Sequence, residues 1–272
     1  MTHTESPKPA EPRLSASLVL VNSRNEVLLV QRNPQAKSFA GTHVFPGGNF
    51  DAKQDTSLEW TAIRETFEEA GLLLASSDTP GKLVDFTQAR EAVHGGQMSF
   101  STFLTNNNLR ANVDTLLPFT TWVTPPTAPR RFRTEFFVAF LTNSASDGLS
   151  SESAIEEFRT GQISLFPPQY YIMETLRPIL TGPTSTESQR NAIRMLSKAA
   201  FGRMVINPRV FRVNDGVDEA FVYEGDELRG GPKGRLHRVV VKRKGAGFSQ
   251  INLQRNFDLF TQCPVEAHIP KL

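Results

Sequence analysis

A single cysteine, Cys263, occurs in the 272 residues. One thiol closes no internal disulfide, and a thiolate metal site needs partners that this chain lacks. The chain therefore reads as intracellular. No apolar run approaches the roughly 20 residues that a bilayer span needs, so no membrane partner is expected. Net charge is also in short supply: 30 Lys and Arg stand against 28 Asp and Glu, a formal net charge of +2. So small a surplus gives no electrostatic ground for a nucleic-acid partner. Internal repeats and low-complexity segments are absent, which excludes solenoids and arrays. What remains is ordinary globular composition, 39% hydrophobic and 21% charged. The length suits one large α/β domain with an appendage. Any charge used for catalysis must be gathered locally.

The two ends carry little. Residues 1–13 are polar and hold Pro7, Pro9 and Pro12. They lack the apolar core of a secretory signal and read as a disordered tail. The last three residues, Pro270-Lys271-Leu272, differ at one position from the Ser-Lys-Leu peroxisomal address. The expected location is the cytoplasm or, through this degraded signal, the peroxisome.

Apolar β-branched runs at Leu14–Val21 and Val27–Val30 flank the turn cluster Asn22–Asn25 and predict a β-hairpin. His43–Phe45 is a short strand stopped by Pro46-Gly47-Gly48. Thr56–Ala70 predicts a helix, with Thr56 and Glu59 at capping-box spacing and Gly71 as its stop. Helices are also expected over Phe100–Leu109, Ser151–Arg159 and Pro168–Leu180. Strands are expected over Leu83–Phe86, Phe119–Val123 and Phe132–Leu141. Thr181–Ser185 is a natural linker. After it come an amphipathic helix, Thr186–Phe201, and a β-rich remainder from Val205. The organisation expected is a tail over 1–13, a domain over 14–180 and an extension over 186–272.

The chemistry concentrates in the first long helix. At 100° per residue, Ala62, Ile63, Thr66, Phe67 and Ala70 share one arc. Arg64, Glu65, Glu68 and Glu69 share the opposite one. The spacings i, i+3 and i+4 project three carboxylates from one face, where they repel unless a positive charge sits among them. Arg64, four residues before Glu68, offsets part of that repulsion. A hard divalent cation would offset the rest, and Mg²⁺ characteristically bridges a few carboxylates to substrate phosphates. The alternative reading of such a face is a solvated acidic stripe. Immediately upstream, Phe45-Pro46-Gly47-Gly48 ends a strand in a glycine turn, which lets backbone approach a ligand closely.

Glycine turn, helix, then Arg-Glu-x-x-Glu-Glu-x-Gly resembles the Nudix box, G-x5-E-x7-R-E-U-x-E-E-x-G-U with U aliphatic. Arg64, Glu65, Glu68, Glu69, Gly71 and Leu72 supply its second half in order. Two positions depart. Thr66 replaces an aliphatic residue, and Thr56 stands where the pattern has its first glutamate; Asp51, Asp55 and Glu59 are the candidate substitutes. The resemblance implies an α/β Nudix-type α/β/α sandwich with a mixed sheet, carrying here a β-rich C-terminal extension. It also implies Mg²⁺ or Mn²⁺ held by Glu65, Glu68 and Glu69, with backbone from Gly48. Arg64 would orient the glutamates. The implied reaction is hydrolysis of a diphosphate linkage in a nucleoside-diphosphate derivative, and which glutamate serves as base is left open.

The flanking segments, Leu28 to Asn33, Phe39 to Gly48, Trp122 to Pro125 and Arg130 to Phe137, look like the branch that includes peroxisomal coenzyme A diphosphatases. There an Arg upstream of the box is associated with coenzyme A, and Arg32 and Lys37 match it loosely. Asn33 and Phe39 stand where that branch has Ser and His. Coenzyme A carries a 3′-phosphate besides its diphosphate, so extra cations are required. Arg32, Lys37, Arg130, Arg131 and Arg133 are available, and arginine suits bidentate phosphate contacts. Arg133 also shares a strand face with Glu135. The expected substrate is coenzyme A or acyl-CoA. The alternatives are NADH, ADP-ribose, a nucleotide sugar, or a Nudix fold that only binds. The basic stretch Arg235 to Lys244 reads as a solvated hairpin face, and His43, His94, Trp60 and Trp122 read as structural.

Overall fold

The computed structural model describes residues 10–35, 41–77, 86–141, 149–213, 218–245 and 247–263. In chain order the elements are β1 (Arg13–Val21), β2 (Glu26–Val27), β3 (Val30–Gln31), β4 (His43–Val44), β5 (Gly47–Asn49), α1 (Leu58–Ala70), β6 (Ala75–Ser77), α2 (Thr87–His94), α3 (Phe100–Asn106), β7 (Leu109–Ala111), β8 (Leu117–Val123) and β9 (Phe132–Phe140). There follow β10 (Leu149–Ser150), α4 (Ser151–Thr160), α5 (Pro167–Leu176), α6 (Glu187–Lys198), β11 (Val205–Ile206), β12 (Arg209–Val213), β13 (Asp218–Val222), β14 (His237–Lys244) and β15 (Gly247–Arg255).

Strand β1 is the centre of the fold. It pairs parallel with β9 along its whole length and antiparallel with β2 and β5. The sheet runs β10-β2-β1-β9-β8-β11, with β5 also on β1. A strand covered on both faces reads as a continuous apolar run, which is why Leu18 to Val21 is unbroken by a polar residue. Ala16, Leu18 and Leu20 meet Ala62, Ile63 and Phe67 of α1 on one face. Val19 and Val21 turn to the other, where α4, α5 and α6 pack. The result is a mixed sheet between helical layers.

The stretch after the linker is built into the same core. Asn25, at the β1–β2 turn with φ 61°, donates from Nδ2 to the carbonyls of Thr181, Gly182 and Thr184. This straps the linker to the hairpin. Helix α6 opens with a capping box between Thr186 and Gln189. Strand β11 then pairs parallel with β8, and β12 to β15 form a second, antiparallel sheet.

Several boundaries shift for local reasons. Val27–Val30 divides: Val27 pairs with Val21, whereas Val30 leaves to pair with Val44. The α1 cap is Ser57, whose hydroxyl accepts from the Trp60 N–H, and not Thr56 with Glu59. Helix α3 stops at Asn106 because Asn108 takes φ 52°, and Leu109 begins a strand instead. Gln88 to Val93, with no clear sequence signal, lies in α2. Most of Leu83–Phe86 lies outside the described residues. The basic stretch is only partly solvated: His237 and Arg238 are buried, and Arg238 pairs with the buried Asp226 at 2.6 Å. The Glu224 carbonyl can only accept, so His237 Nδ1 carries the proton at 2.7 Å and Nε2 accepts from the Tyr171 hydroxyl at 2.9 Å.

Candidate active site

Helix α1 runs back along β5 and brings the two glycines of the turn against its acidic face. Gly47 is fixed by strand β1, since a Cβ there would stand 2.3 Å from the Ala16 carbonyl oxygen. Gly48 is fixed by the site itself: a Cβ would stand 2.4 Å from the Glu65 carboxyl carbon. The glycine turn therefore makes room for a carboxylate from its own chain.

Arg64 is the hub. Its side chain is only 4% exposed. Nε and Nη2 donate to the two oxygens of Asp55 at 2.8 and 2.9 Å. Nη1 donates to Glu65 Oε1 at 3.0 Å and to Glu68 Oε1 at 2.8 Å. Burial opposes the guanidinium charge, but Asp55, Glu65 and Glu68 together outweigh it and hold Arg64 more firmly charged than usual. Asp55 also accepts from the Asp51 N–H and the Thr61 hydroxyl. Of the three candidates for the missing first acid, Asp55 is therefore the one bound to Arg64. Thr66 is wholly buried, and its hydroxyl is absorbed by the Ala62 carbonyl at 2.7 Å, so its methyl packs where an aliphatic residue is expected.

The carboxylates are held differently. Glu65 is pushed up to about 7 by burial, with Glu68 and Glu69 adding to the rise and Arg64 opposing it. Glu69 accepts from the Gly47 N–H at 3.1 Å; burial raises it, while that N–H and the charge of Arg32 pull it down. Glu68 is engaged at both oxygens, Oε1 by Arg64 and Oε2 by His94 Nδ1 at 3.4 Å. Beside them opens a cleft of about 560 Å³ lined by residues 30–33, by Glu68 and Glu69, and by α2 through Thr87, Arg90, Glu91 and His94. Arg32 Nε is buried there with no hydrogen-bond partner among the described residues.

Among the described residues, no three His, Cys, Asp or Glu side chains form a ready-made metal cage. The candidates for such a role are all hard oxygens: the carboxylates of Glu65, Glu68 and Glu69, near enough for the latter two to act electrostatically on Glu65, with Gly48 packed against the Glu65 carboxylate. Such a set fits Mg²⁺ or Mn²⁺, which take few protein ligands and leave water and phosphate to complete the shell. It does not suit a nitrogen- and sulfur-seeking ion.

Other expected residues lie elsewhere. Arg131 donates to the carbonyls of Thr124 and Ala10, and Arg133 acts electrostatically on the half-buried Glu135; neither lines the cleft. Arg130 does not line it either. Lys37 lies outside the described residues, as do Pro270 to Leu272. His43 is structural, accepting from the Ser164 N–H at 3.4 Å. Trp60 and Trp122 sit in aromatic clusters. His94, expected to be merely structural, lies instead beside Glu68 on the cleft wall, and Arg90 beside it has no reading from sequence. Their i, i+4 spacing puts them on one face of α2, a segment that carries no strong helical signal of its own.

A layered α/β/α sheet with an Arg-anchored carboxylate helix beside a glycine turn is the architecture of Nudix domains. A sequence model described as NUDIX domain matches residues 11–171, and the chain belongs to that family. It is 29% identical over 184 residues to putative nudix hydrolase 7 of Caenorhabditis elegans, covering 61% of this chain and 61% of that protein. It is 24% identical over 228 residues to acyl-coenzyme A diphosphatase NUDT19 of Xenopus laevis, covering 56% of this chain and 59% of that one. The chain thus spans about three-fifths of the length of these relatives. A NUDIX hydrolase crystal structure from Alicyclobacillus acidocaldarius shares the fold, with a TM-score of 0.56, 22% identity, and coverage of 66% of this chain and 96% of that one.

Proposed function

We propose that this protein is a divalent-metal-dependent hydrolase of a diphosphate linkage, with coenzyme A or an acyl-CoA as substrate. The observation that carries the chemistry is the grouping of Glu65, Glu68 and Glu69: Arg64 holds the first two, the Gly47 N–H holds the third, and Glu68 and Glu69 line an open cleft. Clustered carboxylates are destabilising on their own, and a binding module has no use for them. When bound, the metal supplies charge withdrawal from the phosphate oxygens and a water acidic enough to attack at neutral pH.

The chain's own residues set the geometry. Arg64 orients Glu65 and Glu68, and the Gly47 N–H orients Glu69. Gly48 keeps the space that Glu65 occupies. Arg32, with its buried unpartnered Nε, is the candidate for a charge-assisted contact to a substrate phosphate. The coenzyme A assignment draws its support from the likeness to the frog acyl-coenzyme A diphosphatase and from Arg32. The products would be 3′,5′-ADP and a 4′-phosphopantetheine. The assignment also motivates a search for the protein in the peroxisome.

The deciding experiment offers coenzyme A, acyl-CoA, NADH, ADP-ribose and a nucleotide sugar with Mg²⁺, with Mn²⁺ and with EDTA, and identifies the products. Metal-dependent release of 3′,5′-ADP is the expected result. Preference for another member of the panel would keep the chemistry and discard the substrate. Binding without cleavage by folded protein would overturn the hydrolase reading.

A further inference from the structure

The last turn of a helix leaves its carbonyls without intrahelical partners. In α1 those carbonyls belong to the residues of the site. The Gly71 N–H closes on the Phe67 carbonyl at 2.9 Å, with Gly71 at φ 71°. The next two carbonyls, of Glu68 and Glu69, are taken by a side chain from another element. Arg90 of α2 donates from Nε to the Glu68 carbonyl and from Nη2 to the Glu69 carbonyl, each at 2.8 Å. Its guanidinium lies over Gly71, with Nη1 3.5 Å from where a Cβ would stand. One turn further along α2, His94 faces Glu68 Oε2 at 3.4 Å. Helix α2 thus grips the end of α1 at two backbone atoms and one carboxylate, and does so from the side of the cleft that it lines.

We propose that Arg90 is a positioning residue for the hydrolysis: its planar fork fixes the peptide planes of Glu68 and Glu69 and so sets where their carboxylates stand. The inference rests on the diphosphatase reading given above. The geometry favours this role over substrate binding, because two of the guanidinium nitrogens are already committed to carbonyls. Two parallel N–H···O bonds from one rigid plane fix orientation as well as distance, which a lysine ammonium cannot do. A carboxylate displaced by about 1 Å can lose on the order of 100-fold in rate with substrate binding little changed.

The test compares Arg90→Gln and Arg90→Lys with wild type and with Ser57→Ala. The last variant loosens the far end of the same helix and leaves the Arg90 fork intact. Steady-state kcat and KM are read with the best substrate of the panel, Mn²⁺ binding is read by calorimetry without substrate, and Tm is read for each. For Arg90→Gln, kcat should fall about 10- to 100-fold with KM held within about twofold, and Mn²⁺ binding should weaken several-fold. Arg90→Lys, keeping the charge and at most one bond, should fall between. Ser57→Ala should lose Tm but keep kcat. The inference is overturned if a folded Arg90 variant keeps kcat and Mn²⁺ affinity within twofold of wild type, or if Ser57→Ala loses as much kcat at equal Tm. Should Arg90→Gln fail to fold, Arg90→Lys carries the same comparison. Absence of cleavage by the wild-type protein would count against the diphosphatase reading, and Mn²⁺ binding would still report on Arg90.

Discussion

Arg64 closes on Asp55 through two hydrogen bonds, Nε to Oδ1 at 2.8 Å and Nη2 to Oδ2 at 2.9 Å, and the Asp55 side chain is fully buried. A buried pair of this kind gives little net stability relative to an apolar pair, but removing one partner strands the other. Asp55→Ala should therefore destabilise the fold by about 3–5 kcal/mol and lower kcat, because Arg64 loses the anchor from which it aims Glu65 and Glu68. Urea denaturation with parallel kinetics checks both. A loss below about 1 kcal/mol would mean that Arg64 is held by its other partners.

Gly47 and Gly48 are adjacent yet should fail in different ways. A Cβ at Gly47 meets strand backbone, 2.3 Å from the Ala16 carbonyl oxygen and 2.7 Å from the Ser17 Cα. Gly47→Ala must move β1 and should lose about 1–3 kcal/mol. The three atoms nearest a Cβ at Gly48 all belong to the Glu65 carboxylate, a side chain that can yield. Gly48→Ala should fold with nearly wild-type Tm and lose about 100-fold in kcat. Equal activity losses in the two variants at matched stability would contradict this division.

The contrast between these residues shows which parts of the site the sequence made legible. Arg64, Glu65, Glu68 and Glu69 lie on one helix, so period and spacing alone put them together. Asp55 was only one of three candidates, since no spacing rule says which of Asp51, Asp55 or Glu59 folds back beneath Arg64. Arg131 and Arg133 had the right chemistry, but Arg131, just before β9, donates to carbonyls, and Arg133, within β9, acts on Glu135. Arg90 had no reading and His94 only a structural one, because their contacts with Glu68 and Glu69 depend on how α2 docks against α1, a tertiary event with no local signature. In the sheet, the long runs at β1, β8 and β9 were readable. Strand β11 fell within the β-rich remainder read from Val205, but its parallel pairing with β8 had no local signal.

A buried imidazole gives the fold a predictable acid limit. Burial first, then the nearby charges of Arg255 and Arg235, hold His237 down to about 4 against the Glu224 carbonyl and Asp226, which favour its proton. In the unfolded chain it titrates near 6.5. Between those values the unfolded state binds the extra proton, so stability is complete above pH 6.5 and is lost as pH falls towards 4, with nothing further below. The span amounts to about 3 kcal/mol. Denaturation midpoints at pH 7, 5.5 and 4.5 should decline along that course. His237→Asn, which keeps a donor to the Glu224 carbonyl, should flatten the decline, and an unchanged slope would show that other groups govern it.

The clustered carboxylates should make the site less stable than a neutral version of itself. Glu65 is the most affected, pushed from 4.5 to about 7 chiefly by burial and then by Glu68 and Glu69. A carboxyl whose folded value is raised opposes folding progressively as pH rises from 4.5 to 7, because the unfolded chain releases the proton more readily. Glu65→Gln keeps an acceptor for Arg64 Nη1 and removes the charge. In EDTA at pH 7.5 it should be more stable than wild type by about 1–2 kcal/mol, while its kcat falls by at least about 100-fold. Saturating Mg²⁺ should narrow the gap, since a ligand that binds only the folded state stabilises wild type by about 2.7 kcal/mol at 100 times its Kd, and the variant binds it less well. Paired melts with and without metal check this. If Glu65→Gln were less stable than wild type in EDTA, Glu65 would be a structural partner of Arg64 and not a charge held in place for a cation.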